Sequence, residues 1–378
     1  MNSRSWILPA GSLRVCGIFT ILVALAGCES ESVAKSNLPL LRLGSVLGET
    51  SETFSRAQKI REFHFPADHG SHDSFRSEWW YLTVMLDDET GSEFGVQFTV
   101  FRQALKAQEV SSNPWQSVQI FLGHLALTDV DSGSHREFQR VARGHPELAG
   151  ISTRPFAVWL DGWRLHAMNE SFTRLELDAR SDAFRVRLDL RAVKPVVLQG
   201  DRGLSRKGPD QASYYYSMPR FTVSGELWID EHLHTVTGSA WFDHEWSTSV
   251  LGPELAGWDW FALHFDDGSD VMVFRLRHKD GQRDPNDQGV RVAADGTSRL
   301  LSAEDYRLTP LTFWRDSHGV EWPIRWQLEL DDERLTIQAA LEDQRMDTAL
   351  VYWEGLVHVH DDAGTQVGRG YMELTGYR

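Results

Sequence analysis

The sequence predicts an all-β protein made of many short antiparallel strands. Residues 94–101 and 184–190 alternate apolar and polar side chains, and a period of two marks strands with one buried face. Turns rich in Asp and Gly, such as those at 131–133 and 266–268, separate these stretches, while strong helical periodicity is hard to find. Strands joined by short turns of this kind are typical of a β-sandwich or a β-barrel.

The first part of the chain is predicted to direct export rather than to fold. Arg4 and Arg14 give it a basic start, and residues 15–26 form a mostly apolar run. This order of regions is that of a secretory signal peptide. The run is also shorter than the roughly 20 apolar residues of a membrane-spanning helix. An uncleaved membrane anchor is the alternative.

Small residues come directly before Cys28. Residues 25–28 (Leu-Ala-Gly-Cys) resemble a bacterial lipobox, which implies cleavage before Cys28 and lipidation of its side chain. We therefore expect a lipoprotein signal peptide at 1–27 and a polar tether at 28–51. The protein is expected to be exported, anchored to the bacterial membrane as a lipoprotein, and to face the periplasm. An ordinary secretory signal is the alternative.

Composition argues against two classes of function. The only cysteines are Cys16 and Cys28, so the mature domains have neither a thiol nucleophile nor a disulfide. Removing residues 1–27 takes away Arg4, Arg14 and no acid, which changes the net charge from −16 to −18. Because proteins that bind nucleic acid need clustered Lys and Arg, this diffuse negative charge argues against such a partner.

The length of the chain and a weak internal repeat indicate two domains. A mature chain of about 350 residues exceeds the usual size of one domain. Residues 80–88 are similar to 260–267, and each stretch is followed by an apolar strand that ends in arginine. We expect an N-terminal β domain at 52–217 and a C-terminal β domain at 218–378. Chance similarity between two β-hairpins is the alternative.

The hexapeptide from Trp241 to Trp246 is the most informative motif of the chain. Between the two indoles lie Asp243, His244 and Glu245. On a strand, His244 would point away from the two acids. A carboxyl group in an apolar pocket keeps its proton to higher pH and can donate it, and a histidine can accept a proton near neutral pH. The alternative is structural, with acids that cap a turn and a histidine in a satisfied hydrogen-bond network.

A second aromatic motif, Glu78-Trp79-Trp80-Tyr81, lies in the first third of the chain. On a strand, Trp80 would share a face with Glu78, and Trp79 would share the other face with Tyr81. Plain core packing of these rings is the alternative. The candidate ligand-binding residues of the whole chain are Glu78, Trp79, Trp80, Tyr81, Tyr215, Trp241, Trp258 and Trp260.

No metal site is predicted. His64, His69, His72 and Asp73 have spacings that match no compact zinc signature, and the histidines at 358 and 360 lack a third ligand. No phosphate-binding loop, nucleophile elbow or zincin motif occurs in the sequence.

Six motifs occur in order over nearly the whole mature chain. They are 65–70 (Phe-Pro-x-Asp-His-Gly), 78–81, 214–220 (Tyr-Tyr-Tyr-Ser-x-Pro-Arg), 238–246, 352–355 and 370–377. Together they resemble the carotenoid 1,2-hydratase (hydroxyneurosporene synthase) family and its broader AttH-like, lipocalin-like relatives. This resemblance implies two tandem lipocalin-like (calycin-type) antiparallel β-barrel domains and a pocket for a hydrophobic ligand.

The resemblance also implies a reaction. In the hydratase branch, water is added across an isolated double bond of a long polyene, with no metal and no organic cofactor. Carried onto this chain, Asp243 or Glu245 would protonate the alkene and His244 would take the proton from water. Trp241 or Trp246 would stabilise the cation through cation–π attraction. The predicted catalytic residues are Asp243, His244, Glu245 and Trp246.

The lipobox fits the AttH-like branch, which is often associated with transport systems, better than a carotenoid hydratase. The expected ligand is an isoprenoid-like or lipid-like molecule. The expected partners are the membrane, through the anchor at Cys28, and an ABC-type permease. One alternative to an enzyme is a non-catalytic carrier or chaperone that works with a membrane transport system, and another is an envelope scaffold with a vestigial pocket.

Overall fold

A computed structural model describes residues 53–107, 117–249 and 251–377, all of which belong to one compact unit, Pro39–Arg378. Apart from a short 3-10 helix, Ala67–His69, the regular structure of these residues consists of strands. The predicted all-β class is confirmed. Within these ranges, no helix has the length and hydrophobicity needed to cross a membrane. The predicted signal peptide and tether, with Cys28, lie outside the described residues.

The first sheet curves into a nearly closed barrel around one apolar core. Its order is β4-β3-β2-β1-β13-β12-β9-β8-β7-β6-β5, β10 and β11 also pair with β12, and every pairing is antiparallel. The strands are β1 (Ser77–Asp88), β2 (Glu93–Ala104), β3 (Gln119–Asp129), β4 (Ser134–Arg143), β5 (Ala149–Thr153), β6 (Phe156–Leu160), β7 (Trp163–Ala167), β8 (Arg174–Arg180), β9 (Phe184–Ala192), β10 (Val197–Leu198), β11 (Leu204–Arg206), β12 (Ala212–Ile229) and β13 (His232–Ser249).

The second sheet forms a half-barrel. Its order is β17-β16-β15-β14-β23-β22-β20-β19-β18, with β21 paired to β22, and all pairings are again antiparallel. The strands are β14 (Leu255–Phe265), β15 (Asp270–His278), β16 (Gln288–Val292), β17 (Ser298–Ser302), β18 (Tyr306–Arg315), β19 (Glu321–Leu330), β20 (Glu333–Ala339), β21 (Arg345–Met346), β22 (Tyr352–His360) and β23 (Gln366–Leu374).

The two sheets share a topological rule. In each, the first strand pairs with both the second strand and the last one, as β1 does with β2 and β13, and β14 with β15 and β23. The similar stretches 80–88 and 260–267 fall on the first strands, β1 and β14. The expectation of two antiparallel β domains is confirmed, and the second of them is an open half-barrel.

The chain passes from the first sheet to the second between Ser249 and Leu255. The sequence placed the domain boundary after Ser217, but β12 runs through this position. Ser217 pairs with β13 on one side and with β10 on the other, so the strand does not end there. The long hairpin of β12 and β13 therefore completes the first sheet.

Three apolar clusters hold the molecule together. The first fills the barrel and includes Trp80 and Trp246, the second lies between the sheets and includes Trp241 and Trp260, and the third fills the half-barrel around Trp326. Because neighbouring residues of a strand face opposite sides, β1 and β13 contribute to both of the first two clusters. The strand pair β1–β13 is thus buried on both faces.

Candidate functional site

Strands β1 and β13 bring the two predicted motifs side by side. Tyr81 lies opposite Asp243, and Trp80 lies opposite His244. Because side chains alternate along a strand, Tyr81 and Asp243 point toward the second sheet, while Trp80 and His244 point into the barrel. The two motifs therefore contribute to two sites, one on each face of the same strand pair.

The first site is a pocket between the two sheets, which we call the interface pocket. Its cavity measures about 50 Å³ and is partly open to solvent. Six of its eleven lining residues are aromatic, so apolar walls surround a few polar groups, as is typical of small-molecule pockets. The lining residues are Trp79, Tyr81, Lys207, Tyr215, Asp243, Glu245, Trp258, Trp260, Phe274, Leu276 and Glu373.

Asp243 is a buried acid of this pocket with three hydrogen-bond donors. Trp241 Nε1 and Ser217 Oγ donate to its Oδ1, and the Tyr215 hydroxyl donates to its Oδ2 at 2.7 Å. Burial raises the pKa of Asp243 to about 7, although the three hydrogen bonds act in the opposite direction. Asp243 therefore changes its protonation state near neutral pH, where general acids and bases are most effective.

Glu245 forms an ion pair in the same pocket. Lys207 Nζ donates to Glu245 Oε1 and, at 3.0 Å, to Ser213 Oγ. The ammonium group also lies 5.9 Å from the ring centre of Tyr215 and 5.8 Å from that of Phe274. The ion pair thus fixes both the carboxylate and the lysine against aromatic walls.

Glu373 is a third acid of the interface pocket. Its Oε1 accepts a hydrogen bond of 2.9 Å from Trp258 Nε1. Burial raises the pKa of Glu373 to about 8, and the charges of Glu245 and Asp243 act in the same direction. Protein surrounds the residue, but part of its surface is exposed in the pocket. Glu373 is therefore a carboxylic acid that keeps its proton at neutral pH next to open space.

Glu354 lies directly opposite Glu373 on the neighbouring strand. It is fully buried, and the Tyr81 hydroxyl donates a hydrogen bond to its Oε1. Burial raises the pKa of Glu354 well above its usual range, and the charge of Glu373 adds to this shift. Because like charges directly opposite each other across two strands repel, the pair holds at least one proton at neutral pH.

The second site, on the barrel side of β1 and β13, is a network of five charged or titratable residues that we call the barrel cluster: Asp68, His72, Glu78, Arg102 and His244. Glu78 Oε1 is hydrogen-bonded to His72 Nδ1 at 2.7 Å and to His244 Nε2 at 2.9 Å. Arg102 Nε donates to Glu78 Oε2 at 2.9 Å. Burial raises the pKa of Glu78, but the charges of Arg102 and His72 outweigh burial and hold it well below its usual range.

Aromatic rings enclose the barrel cluster. Trp246 stacks on His72 with ring centres 3.6 Å apart, and Trp80 stacks on His244 at 4.7 Å. His244 Nδ1 lies 3.1 Å from the carbonyl oxygen of Asp68, and burial lowers the pKa of His244. His244 is thus a fully buried imidazole with polar partners at both ring nitrogens.

The predicted catalytic residues divide between the two sites. Asp243 and Glu245 line the interface pocket, whereas His244 and Trp246 lie in or against the barrel cluster. A ligand in the interface pocket does not contact His244, because the backbone of β13 separates them. The alternation noted in the sequence is confirmed, and it separates the imidazole from the two acids.

The predicted ligand-binding residues divide in the same way. Trp79, Tyr81, Tyr215, Trp258 and Trp260 line the interface pocket. Trp241 lies beside it as a hydrogen-bond donor to Asp243, while Glu78 and Trp80 face the barrel. Sequence reasoning missed the lining residues Lys207, Phe274, Leu276 and Glu373, and also Ser217 and Glu354 beside the pocket. Ser217, Glu354 and Glu373 nevertheless lie in the motifs at 214–220, 352–355 and 370–377.

Three residues of the barrel cluster have side chains of types that bind metal ions. Ligand atoms of His72, Glu78 and His244 lie within 4.8 Å of one another, and His72 Nε2 has the outer carboxylate partner, Asp68, that metal-bound histidines often have. The guanidinium of Arg102, however, holds the other oxygen of Glu78. Since its charge opposes a second cation at this depth, we interpret the cluster as a salt-bridge network.

Residues 56–377 match the model of the AttH-like family. The chain belongs to the AttH-like family. The structure of a protein from Nitrosomonas europaea assigned as an AttH is similar, with a TM-score of 0.76 and 34% identity over 86% of this chain and 100% of that one. Kievitone hydratase from Nectria haematococca is similar in fold, with a TM-score of 0.64 and 15% identity over 87% of this chain and 97% of that one. No curated protein matches the chain in sequence.

The predicted resemblance to AttH-like proteins is therefore confirmed. The AttH-like match covers every described strand of both sheets. Both the interface pocket and the barrel cluster thus belong to the AttH-like part of the chain, and the predicted lipobox at 25–28 lies N-terminal to it.

Proposed function

We propose that this AttH-like protein binds a hydrophobic, isoprenoid-like molecule in the interface pocket and adds water across one of its C=C bonds by acid–base catalysis. The observation that carries the proposal is the position of the Glu373 carboxyl group, opposite a second acid, Glu354, and facing a pocket with mostly aromatic walls. Burial raises the pKa of Glu373 to about 8. Water adds to an isolated alkene after a proton has been transferred to carbon. That step needs an acid that is still protonated at working pH and surroundings that tolerate a cation.

Glu373 is the general acid of this proposal. It gives its proton to one alkene carbon, the electron pair of the double bond forms the new C–H bond, and a cation is left on the neighbouring carbon. Trp79, Tyr81 and Trp258 are among the aromatic residues that line the pocket. Aromatic faces within about 6 Å stabilise a cation electrostatically.

Asp243 is the general base, and it acts through Tyr215. Water attacks the cation and forms the C–O bond. The proton that water loses passes to the Tyr215 oxygen while Tyr215 gives its own proton to Asp243 Oδ2, 2.7 Å away. Trp260 Nε1 lies 3.3 Å from the same hydroxyl and steadies it. The chemistry uses only side chains of this protein and water.

This assignment differs from the one made on the sequence. There, Asp243 or Glu245 gave the proton and His244 received one. With His244 behind β13, the base must come from the pocket itself, and Asp243 with Tyr215 supplies it. Glu245 is paired with Lys207, which leaves Glu373 as the acid. Kievitone hydratase has a similar fold, and this similarity supports the proposed chemistry by analogy only.

We also propose that Cys28 carries a lipid and that residues 28–51 tether the pocket close to a membrane, where hydrophobic molecules collect. The sequence Leu-Ala-Gly-Cys at 25–28 supports this part of the proposal. It is tested by fractionating cells that express wild type or Cys28→Ser. Wild type is expected in the membrane fraction and the variant outside it, whereas equal membrane association of both would refute the anchor.

The reaction is tested by mass spectrometry of the lipids and pigments that co-purify with detergent-extracted protein, prepared in water enriched in heavy oxygen. We compare wild type with Asp243→Asn and Glu373→Gln, and use Glu226→Gln, an exposed residue of β12, as the matched control. A hydroxylated product with heavy oxygen in wild type and control alone would support hydration. The same unmodified ligand on all four proteins would instead indicate a carrier, which uses the pocket without proton transfer and would fit an ABC-type permease as partner.

A further inference from the structure

Asp243 is held by a short chain of hydrogen bonds that begins outside the interface pocket. Gln199 Nε2 donates to Ser217 Oγ at 2.8 Å, and Ser217 Oγ donates to Asp243 Oδ1. Gln199 is buried and is not among the residues that line the pocket. We propose that Gln199 is a positioning residue for the general base: through Ser217 it keeps Asp243 Oδ1 a hydrogen-bond acceptor, so that the proton taken from water is held on Oδ2. This inference rests on the function proposed above, in which Asp243 is that base.

The two oxygens of Asp243 have different partners. Oδ1 accepts from Ser217 and, at 2.7 Å, from Trp241 Nε1, whereas Oδ2 accepts from the Tyr215 hydroxyl at 2.7 Å. An indole N–H can only donate, but a hydroxyl has one proton and two acceptor positions. Ser217 could therefore also accept a hydrogen bond from a protonated Oδ1. The direction of the Ser217 O–H thus determines which oxygen of Asp243 holds a proton.

The amide of Gln199 fixes the direction of the Ser217 O–H. Its N–H group occupies one acceptor position of the hydroxyl, which leaves the Ser217 proton to be donated. Among the residues that the structure describes, Asp243 Oδ1 is the acceptor that this proton reaches. A proton on Oδ1 would leave the buried Ser217 O–H without an acceptor, which costs free energy. A proton on Oδ2 keeps these contacts, because the Tyr215 oxygen can accept it and turn its own proton toward the pocket.

The position of this proton matters for the proposed reaction. The water oxygen forms the C–O bond, the Tyr215 oxygen takes the proton that water loses, and the Tyr215 proton passes to Asp243 Oδ2. The base is restored when Oδ2 gives this proton back through Tyr215 to water in the open pocket. A proton on Oδ1 would instead face Ser217, away from the hydroxyl through which it came.

The backbone holds Gln199 at the start of a tight loop. Its N–H donates to the Tyr215 carbonyl at 3.0 Å, and its carbonyl accepts from the Gly203 N–H at 3.0 Å. Gly200 follows with a φ of 63°, and a Cβ there would lie 2.4 Å from a backbone carbonyl oxygen, so this position needs glycine. Both backbone polar groups of Gln199 are thus bonded, and its side chain reaches Ser217 from a defined position.

Other titratable groups face Asp243 across the pocket. They are Tyr81 of β1, Lys207 after β11, Tyr215 of β12, Glu245 of β13 and Glu373 of β23. Burial raises the pKa of both tyrosines well above its usual range, so they are uncharged at neutral pH. The charge of Glu245 raises the pKa of Asp243, whereas the hydrogen bond from Ser217 lowers it. These side chains stay the same in a Gln199 variant, so a change at Asp243 is assigned to the Gln199–Ser217 bond.

We test the inference on the full chain without ligand, by following the C=O stretch of protonated Asp243 in infrared spectra as the pH is raised. Asp243→Asn identifies the band by its loss. Each hydrogen bond that a carbonyl accepts lowers its stretching wavenumber. In wild type we expect one band, from a C=O at Oδ1 that accepts from Trp241 and Ser217.

Gln199→Met keeps a side chain of similar length but has no amide to fix the Ser217 hydroxyl. We expect a second band at higher wavenumber, from molecules protonated on Asp243 Oδ1, whose carbonyl oxygen is then Oδ2 with one donor. The titration midpoint of Asp243 should rise by about one unit or less, the weight of one hydrogen bond, because a second protonated arrangement becomes accessible.

Ser217→Ala and the double variant determine whether Gln199 acts through Ser217. Removing the hydroxyl takes one donor from Asp243 Oδ1, so Ser217→Ala should raise the midpoint. Adding Gln199→Met to Ser217→Ala should then have no further effect, since the two residues act as one chain. Gln97→Met is the matched control, because Gln97 is an equally buried glutamine whose amide donates to Thr99 and to Tyr352, outside the pocket.

A second band in Gln199→Met, a single band in the control and no further effect in the double variant would support the inference. No protonated Asp243 band in wild type, one unshifted band in Gln199→Met, or midpoint shifts that add in the double variant would overturn it. Gln199→Leu takes the place of Gln199→Met if that variant does not fold. Because no ligand takes part, a failed hydration assay would refute the proposed function alone, and unchanged spectra would refute this inference alone.

Discussion

The interface pocket and the barrel cluster lie on opposite faces of the same two strands and are built from the same kinds of residue. Both combine carboxyl groups, tryptophan rings and a basic side chain. In the barrel cluster, Glu78 is bonded to two histidines and to Arg102. In the interface pocket, Glu373 has one donor, Trp258, and faces open space. The barrel cluster thus pairs its acid fully, whereas the interface pocket leaves an acid incompletely paired beside a cavity, where we propose that it reacts.

The two regions also differ in the sign of their pKa shifts. In the barrel cluster, hydrogen bonds and opposite charges outweigh burial and lower the pKa of Glu78 and of Asp68. In the pocket, burial dominates and raises the pKa of Asp243, Glu354 and Glu373. For a carboxyl group, a lowered pKa shows that the surroundings stabilise the anion, whereas a raised pKa shows that they favour the protonated form. We therefore expect substitutions in the cluster to affect stability and substitutions in the pocket to affect turnover.

The largest expected effect is the loss of turnover in Glu373→Gln. The amide keeps the shape of the side chain but cannot give a proton, so hydration should fall by about 10²–10⁴, the usual contribution of a general acid. Ligand retention and the free energy of unfolding should change little, because Gln still accepts the Trp258 hydrogen bond. Turnover is measured as the rate of product formation, with Glu226→Gln as control. Turnover within a factor of two of wild type would remove Glu373 from the mechanism.

The converse experiment is Glu78→Gln in the barrel cluster. It leaves Arg102 buried without its carboxylate, and breaking a buried ion pair in this way costs about 3–5 kcal/mol of stability. The free energy of unfolding from denaturant titration measures the loss, with the exposed Glu226→Gln again as control. A folded Glu78→Gln protein of wild-type stability would contradict the assignment of the cluster as a structural network.

The sequence predicted much of this comparison and missed one part of it for a clear physical reason. Period-two alternation is a local property, so it correctly placed Asp243 and Glu245 opposite His244, and Trp79 with Tyr81. The meeting of Asp243 with Glu373 depends on how the two sheets pack, which no local pattern encodes. One signal was present: Glu354 and Glu373 are acids flanked by apolar residues within largely buried strands, and buried acids of this kind call for an explanation.

The predicted boundary between the two domains falls within a strand for a related reason. It follows Ser217 and lies just before Pro219, and proline is a local signal for a break in a strand. The strand β12 accommodates that region with a register shift between Met218 and Phe221 rather than ending there. A bulge and a strand end have the same local sequence signals, and only the partners across the sheet distinguish them.

The opposite pKa shifts predict opposite pH dependences of stability in the two regions. For Asp68, the folded pKa of about 2 lies below the usual 3.8. Between these two pH values the unfolded chain binds more protons than the folded protein. The contribution of Asp68 to the free energy of unfolding is therefore lost as the pH falls through them. For Asp243, the folded pKa of about 7 lies above the usual 3.8. Between these values the folded protein binds more protons than the unfolded chain, so the contribution of Asp243 to the free energy of unfolding is lost as the pH rises from about 4 to 7.

Hydrogen exchange followed by mass spectrometry at a series of pH values resolves the two regions. Peptides from the helix and loop around Asp68 should lose protection first in acid, and peptides that line the interface pocket should lose it as the pH rises. In Asp243→Asn the second trend should flatten while the first persists. Parallel trends in both regions, or no effect of Asp243→Asn, would show that these shifts do not govern local stability.

The smallest expected effect is a shift in the pH–rate profile of Trp258→Phe. The indole N–H hydrogen bond to Glu373 favours the carboxylate and lowers its pKa. Removing it should raise the pKa of Glu373 further, by about one unit or less, since one hydrogen bond contributes about 0.5–1.5 kcal/mol. The limb of the profile on which the acid loses its proton should move to higher pH by this amount. Trp79→Phe removes a similar ring area from the pocket without touching Glu373, so its profile should keep the wild-type limb. An equal shift in both variants would assign the effect to lost aromatic surface, and an unshifted Trp258→Phe profile would mean that the titrating acid is not Glu373.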